Sequence, residues 1–203
     1  MSFEQLLQTI QTVFIAAAGI AAWRGVDAWR RQLSGKRRME IAEETLTAIY
    51  EARNVLTWAR NGMSFEGEAY FGDEPVEGEE RDGIARLRDS YYVPVARLSK
   101  HHEVFSKLST QEHLCAIYFG EAVRLHFAQI RDVHTRVAIS ARALIRDAGR
   151  PERPRAQERN RERQQRYEDE IWGGLLEDNP LTVQTNEAVE QIKNVCLPHL
   201  RMR

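Results

Sequence analysis

Residues 5–38 read QLLQTIQTVFIAAAGIAAWRGVDAWRRQLSGKRR, and the first half of that stretch decides how the rest of the chain is understood. From Gln5 to Trp23 there is no charged side chain. Nineteen residues at a rise of 1.5 Å make a helix of roughly 28 Å, close to the hydrocarbon thickness of a bilayer. Val13 to Trp23 is apolar on every face, while Gln5, Gln8 and Gln11 weaken the N-terminal half. Arg24, Arg30, Arg31, Lys36, Arg37 and Arg38 follow against a single Asp27, the charge asymmetry expected on the cytoplasmic side of a span. Trp23 and Trp29 lie beside the first arginines, where indoles favour the headgroup layer and arginines reach back to it.

This predicts a single-pass protein of the bacterial cytoplasmic (inner) membrane, with its N-terminus outside and its C-terminal domain in the cytoplasm. Trp23, Arg24, Trp29, Arg30 and Arg31 would anchor and orient it. A helix lying in the interface, or buried in a soluble core, is the competing reading of the same residues. A cleaved signal peptide fits poorly, because the first four residues carry no positive charge and the basic cluster follows the apolar run.

The chain then divides into residues 1–33, the anchor helix with its basic extension, and residues 36–203, one helical domain of ample size for a core. Ser34-Gly35 is the one place where a hinge or turn could separate them. Ala42, Thr45, Leu46, Ile49, Ala52, Val55 and Leu56 form a stripe at three- and four-residue steps, ending at Asn61-Gly62. Residues 62–83 are glycine-punctuated and acidic and read as a solvated, mobile loop.

A second helical run starts near Ile84 and extends to Leu108, with Pro94 inside it and a kink expected at Tyr91–Tyr92. Ser109-Thr110 with Glu112 reads as the start of the longest helix, about Thr110 to Ala148, closed by Gly149 and Pro151. Asp178-Asn179-Pro180 caps a final helix carrying Val189, Ile192, Val195, Cys196 and Leu200 inward. No strand and no repeat is legible. The expected fold is all-α: one membrane-spanning helix followed by an antiparallel bundle of four to five long helices.

Chemistry is harder to find. The net charge is −1, so nucleic acid is not an expected partner of the chain as a whole. The seven arginines of residues 150–166 are interleaved with Glu152, Glu158 and Glu162 and read as a solvated helix face. Cys115 and Cys196 are far apart with no pairing motif and read as reduced core thiols. No Glu-x-x-His, Walker loop, Gly-x-Ser-x-Gly or Cys-x-x-Cys occurs, so no metal, cofactor or catalytic residue is assigned.

One pattern stands apart. Arg97 and His102 have an Arg-x-x-x-x-His spacing that resembles the active-site motif of the all-helical HEPN ribonucleases, although Leu98 stands where that family places a polar residue. The resemblance covers this motif alone and would imply RNA cleavage by the two side chains. The leading expectation is instead a non-enzymatic membrane protein whose helical domain binds another protein or itself. A membrane-acting effector that oligomerises through its span, along Gln5, Gln8 and Gln11, is the alternative.

Overall fold

The computed structural model describes residues 3–65, 67–72, 82–150 and 157–200, with the side chains of the first helix described at Phe14 and from Ala18 onward. Six helices follow in order: α1 (Phe3–Ala59), α2 (Gly83–Lys100), α3 (His102–Phe119), α4 (Arg124–Asp147), α5 (Gln157–Trp172) and α6 (Pro180–Leu200). A single 3₁₀ turn, Glu121–Val123, joins α3 to α4. Among the described residues there is no strand, only an isolated antiparallel bridge between Asn61 and Gly173.

Apolar spacing explains the core. In α1 the buried residues Ile41, Ala42, Ala48, Ile49, Ala52 and Leu56 recur on one face, and that face packs against α3 and α6. Phe127, Ile130, Val133, Val137, Ala141 and Leu144 do the same on α4, which lies against α2, α5 and α6. Burial of each such aliphatic or aromatic side chain favours the fold by about 1.5–3 kcal/mol, with alanines contributing less.

The helix boundaries depart from the sequence reading in four places. Ser34-Gly35 is no hinge: α1 runs through both, and the Ser34 hydroxyl donates back to the Arg31 carbonyl at 3.0 Å. Pro94 lies inside α2, which continues to Lys100, well short of the expected Leu108. The chain breaks at His101, whose N–H donates to the Leu98 carbonyl at 3.2 Å. Ser109-Thr110 therefore starts nothing. Thr110 lies inside α3, its hydroxyl donating to the Ser106 carbonyl at 3.4 Å.

The expected long helix 110–148 is cut at Gly120, which has φ +111°. Only glycine adopts that backbone without strain, and it turns α3 into α4. Gly149, at φ +79°, ends α4 as expected. At α6 the anticipated cap is present: Asn179 Oδ1 accepts the Leu181 N–H at 3.0 Å.

The membrane span needs correction. Among the described residues no helix is long and apolar enough to cross a membrane. The glutamines at 5, 8 and 11 and most of the apolar run up to Ala17 lie outside the described side chains.

Candidate functional site

Two regions of the structure carry unusual chemistry: the N-terminal half of α1, and the far end of the bundle where two arginines are buried.

From Ala18 to Arg38 every residue of α1 is exposed except the partly covered Asp27 and Gly35. The fold begins to close on the helix at Met39, and Ile41 is its first fully buried side chain. The exposed stretch is not polar: Trp23 is 72% exposed and Trp29 61%, with Ile20, Val26 and Leu33 also bare. Helical spacing places Val26, Trp29 and Leu33 along one side and Arg24, Arg31 and Arg38 at seven-residue steps along another. Asp27 holds Arg31 at 2.8 Å, while Arg24 and Arg30 have no ion-pair partner among the described residues and stand exposed beside the tryptophans. The five residues expected from the sequence to anchor the chain thus lie together on the exposed stretch of α1 before Met39. At its base Arg37 contacts Tyr118 and Glu40, and Arg38 approaches His199, which stacks on Phe119 at 4.4 Å.

Arg97 occupies the opposite end and is 4% exposed. Its Nε and one terminal nitrogen donate to both oxygens of Glu68, at 2.6 and 2.7 Å. The remaining donors reach the carbonyls of Trp58 and Asn61 at 2.9 Å and of Met63 at 2.8 Å. The guanidinium also lies 4.6 Å from the Trp58 ring centroid, within cation–π range. An arginine has five N–H donors, and here all are engaged by protein acceptors.

His102 sits beyond the break, exposed, with its Nδ1 3.2 Å from the Ser99 carbonyl. The Arg97–His102 pair therefore spans two helices and keeps no arginine donor for a phosphate. Glu68, read as part of a solvated loop, is instead a clamp, and Arg97 holds its carboxyl below the usual carboxylate range.

Arg60 is buried more deeply still, at 2% exposure. It donates to the Glu170 carbonyl at 2.7 Å, to Thr182 Oγ1 at 3.1 Å and to Asn179 Oδ1 at 2.6 Å. Among the described residues no carboxylate bonds to it directly. Burial pushes its guanidinium down to about 10, so it stays charged at neutral pH. The Glu170 side chain is turned to Arg136 at 2.5 Å and to Ser140. The Gly173-Gly174 pair closes over this arrangement, since a Cβ on Gly174 would stand 2.5 Å from the Thr57 carbonyl oxygen. This is a structural knot tying the end of α1 to the α5–α6 turn.

The histidines are dispersed. His134 packs on Phe105 at 4.3 Å, and burial pushes its imidazole below the ordinary value. His101 meets the edge of Trp58, His113 approaches Arg124, and His126 approaches Gln129. Among the described residues no group of three or more His, Cys, Asp or Glu could hold a metal ion. Cys115 and Cys196, unrelated by spacing, are both buried in the core.

Compared with known protein families, curated proteins and solved structures, the chain matches none.

The sequence reading missed both buried arginines. For Arg60 a signal existed: an arginine immediately before Asn-Gly, and a distant Gly-Gly, are both turn chemistry. For Arg97 the only cue was its place on the apolar side of α2, where a charge needs a partner.

Proposed function

We propose that this chain is a non-enzymatic, membrane-attached protein, in which the N-terminal half of α1 engages the bilayer and the helical bundle binds a protein partner or a second copy. One observation carries the reading. Large apolar side chains at 20, 23, 26, 29 and 33 stand bare on the N-terminal half of α1, ahead of the face that packs in the bundle, interleaved with exposed arginines. Such a surface is costly in water and suits the boundary between headgroups and acyl chains, where Trp and Arg are both favoured. Trp23, Arg24, Trp29, Arg30 and Arg31 are the contacts, with the bundle on the cytoplasmic face of the inner membrane.

The partner surface we favour is the far end of the bundle. Met63 and Phe65, 72% and 81% exposed, lie next to the turn bearing the exposed Leu175 and Leu176, because Asn61 pairs with Gly173 and the Gly174 N–H donates to the Arg60 carbonyl. Glu177 and Asp178 border that turn. An apolar tip with an acidic rim suits a partner segment that is apolar and basic.

The test is carbonate extraction of membranes from expressing cells, with protease digestion of spheroplasts to locate each terminus. Resistance to carbonate with a protected C-terminus supports a crossing helix. Release by carbonate, but not by salt, supports an interfacial one. Complete recovery in the soluble fraction without either treatment overturns membrane attachment.

A further inference from the structure

Asp147, the last residue of α4, is the meeting point of three arginines. Arg146 Nε lies 3.5 Å from one of its carboxylate oxygens, and Arg150 Nη1 lies 3.4 Å from the same oxygen. Arg163 reaches across from α5 to within 3.4 Å of the other. The three arginine side chains are 66, 65 and 48% exposed. One carboxylate neutralises one of three cations, and contacts of this length exceed the roughly 2.7–2.9 Å of a charge-assisted hydrogen bond. The fold also lines up their neighbours. Glu170 of α5 meets Arg136 and Ser140 of α4 while Arg163 meets Asp147, so the two helices run antiparallel, side by side. Arg142 stands one turn before Arg146, and Arg159 and Arg166 stand one turn either side of Arg163, all exposed. Against these six arginines stand Asp147, Glu158 and Glu162, an excess of +3 (six less three) in a chain of net charge −1.

We propose that this two-helix arginine surface binds the phosphate backbone of a nucleic acid without reading its bases. Guanidinium forks match phosphate oxygens, and an open surface needs a ligand that repeats its charge, because a single phosphate contact in water is weak. From Gln157 to Arg166, α5 carries no apolar side chain, and Ala143, Leu144, Ile145 and Ala148 between the α4 arginines are buried. The surface therefore lacks the apolar centre that a protein partner would bury, whereas nucleic-acid interfaces are polar and strongly positive. Tyr167, the aromatic residue that follows Arg166, is partly buried and has the Arg166 guanidinium 5.4 Å from its ring centroid. Phosphates rather than stacked bases are what such a surface holds.

Position separates this surface from the membrane-facing stretch of α1. Gln111 and Glu112 of α3 meet Glu44 of α1 and Arg131 of α4, so α4 starts beside the middle of α1. Ser140 is level with the end of α1, since Glu170 accepts from Ser140 through its side chain and from Arg60 through its carbonyl. Asp147 lies two turns, about 10 Å, further along α4. The proposal is independent of membrane attachment.

The test is fluorescence anisotropy of the full chain with a labelled duplex DNA and a labelled single-stranded RNA, across about 50–200 mM salt. Three neutralised phosphates give a log–log salt slope of about −3 on the duplex, a fall in affinity of about 40-fold over that range. Arg146→Gln and Arg163→Gln should each shrink the slope by about 1, whatever the base sequence. Asp147→Asn should do the reverse, steepening the slope by about 1 and tightening binding, an effect that loss of a structural contact would not produce. Circular dichroism checks that each variant is folded. Four outcomes overturn the proposal: no oligonucleotide binding at the lowest salt, binding that Arg146→Glu combined with Arg163→Glu leaves intact, equal affinity for polyglutamate of matching charge, or retention of anionic vesicles by these arginines in place of oligonucleotides.

Discussion

At the scale of single residues, two arginines do what a hydrophobic side chain would do elsewhere. Arg97 replaces core packing with five donated hydrogen bonds and gathers the end of α1, Met63 and Glu68 around one guanidinium. Removing one partner of a buried pair leaves the other uncompensated, so Arg97→Ala should cost about 3 kcal/mol or more. Arg97→Lys should recover less than half, because a point charge cannot reproduce a planar fork. Urea denaturation of both variants measures this. If Lys restored full stability, the fork would not be the reason for arginine.

A pH prediction follows from the same scale. His134 is pushed down by burial, so the unfolded chain binds its proton first as pH falls. Its contribution is intact above the ordinary histidine value of about 6.5 and is lost as pH drops below that toward the lower folded value. Glu68, depressed chiefly by its hydrogen bonds from Arg97, adds a second loss below the ordinary carboxylate value. Stability should therefore fall in two steps on acidification. His199, pushed down by burial and by Arg38, shares the first step, so His134→Phe should shrink it and leave the second, as read from denaturation midpoints between neutral and acid pH.

At the scale of elements, the all-α class and the stripes of α1, α4 and α6 were legible because each depends only on where apolar residues recur. The breaks were not legible, and the residues show why. Ser109-Thr110 has the chemistry of a helix start, yet it sits inside α3 with Thr110 bonded back to Ser106, where packing outweighs local preference. His101 carries no breaking signal at all. Misplacing that break is also what made Arg97 and His102 look like neighbours on one helix.

Gly120 was the only cue at the α3–α4 corner, and its positive φ makes it testable. Gly120→Ala should cost about 1–2 kcal/mol through backbone strain alone, since a Cβ there meets nothing within 4 Å. Gly35→Ala should act in the opposite sense, favouring the exposed part of α1 by about 0.5–1 kcal/mol because Gly35 is helical and uncrowded. Slower amide exchange across residues 30–38 would register it, and unchanged exchange would mean that the helix is interrupted there in solution.

At the scale of the whole molecule, the bundle and the α1 extension are separable. Side chains from 18 to 36 make no described contact with α2–α6, so deleting residues 1–32 should leave the unfolding free energy within about 0.5 kcal/mol of the full chain. The same deletion should abolish binding to anionic vesicles in a sedimentation assay. A large loss of stability would show that the extension folds back on the bundle, and persistent binding would move the membrane contact elsewhere. The candidate site was half legible at this scale. The five residues expected to anchor the chain come from charge order alone, whereas the bridge of Asn61 to Gly173, which joins the two loops bearing the exposed Met63, Phe65, Leu175 and Leu176, spans more than a hundred residues that no local pattern links.

The absence of a hinge at Ser34-Gly35 has a mechanical meaning. A continuous helix transmits rotation as well as distance: from Trp23 to Ile41 it spans about 27 Å, and each residue turns it by about 100°. The bundle is thus clocked to whatever holds the N-terminal segment, like a key on its shaft. Inserting two residues after Ser34 would swing the acidic-rimmed tip to nearly the opposite azimuth, whereas inserting seven would return it almost to its starting angle at about 10 Å greater height. A partner that reads orientation would tolerate the second change and not the first.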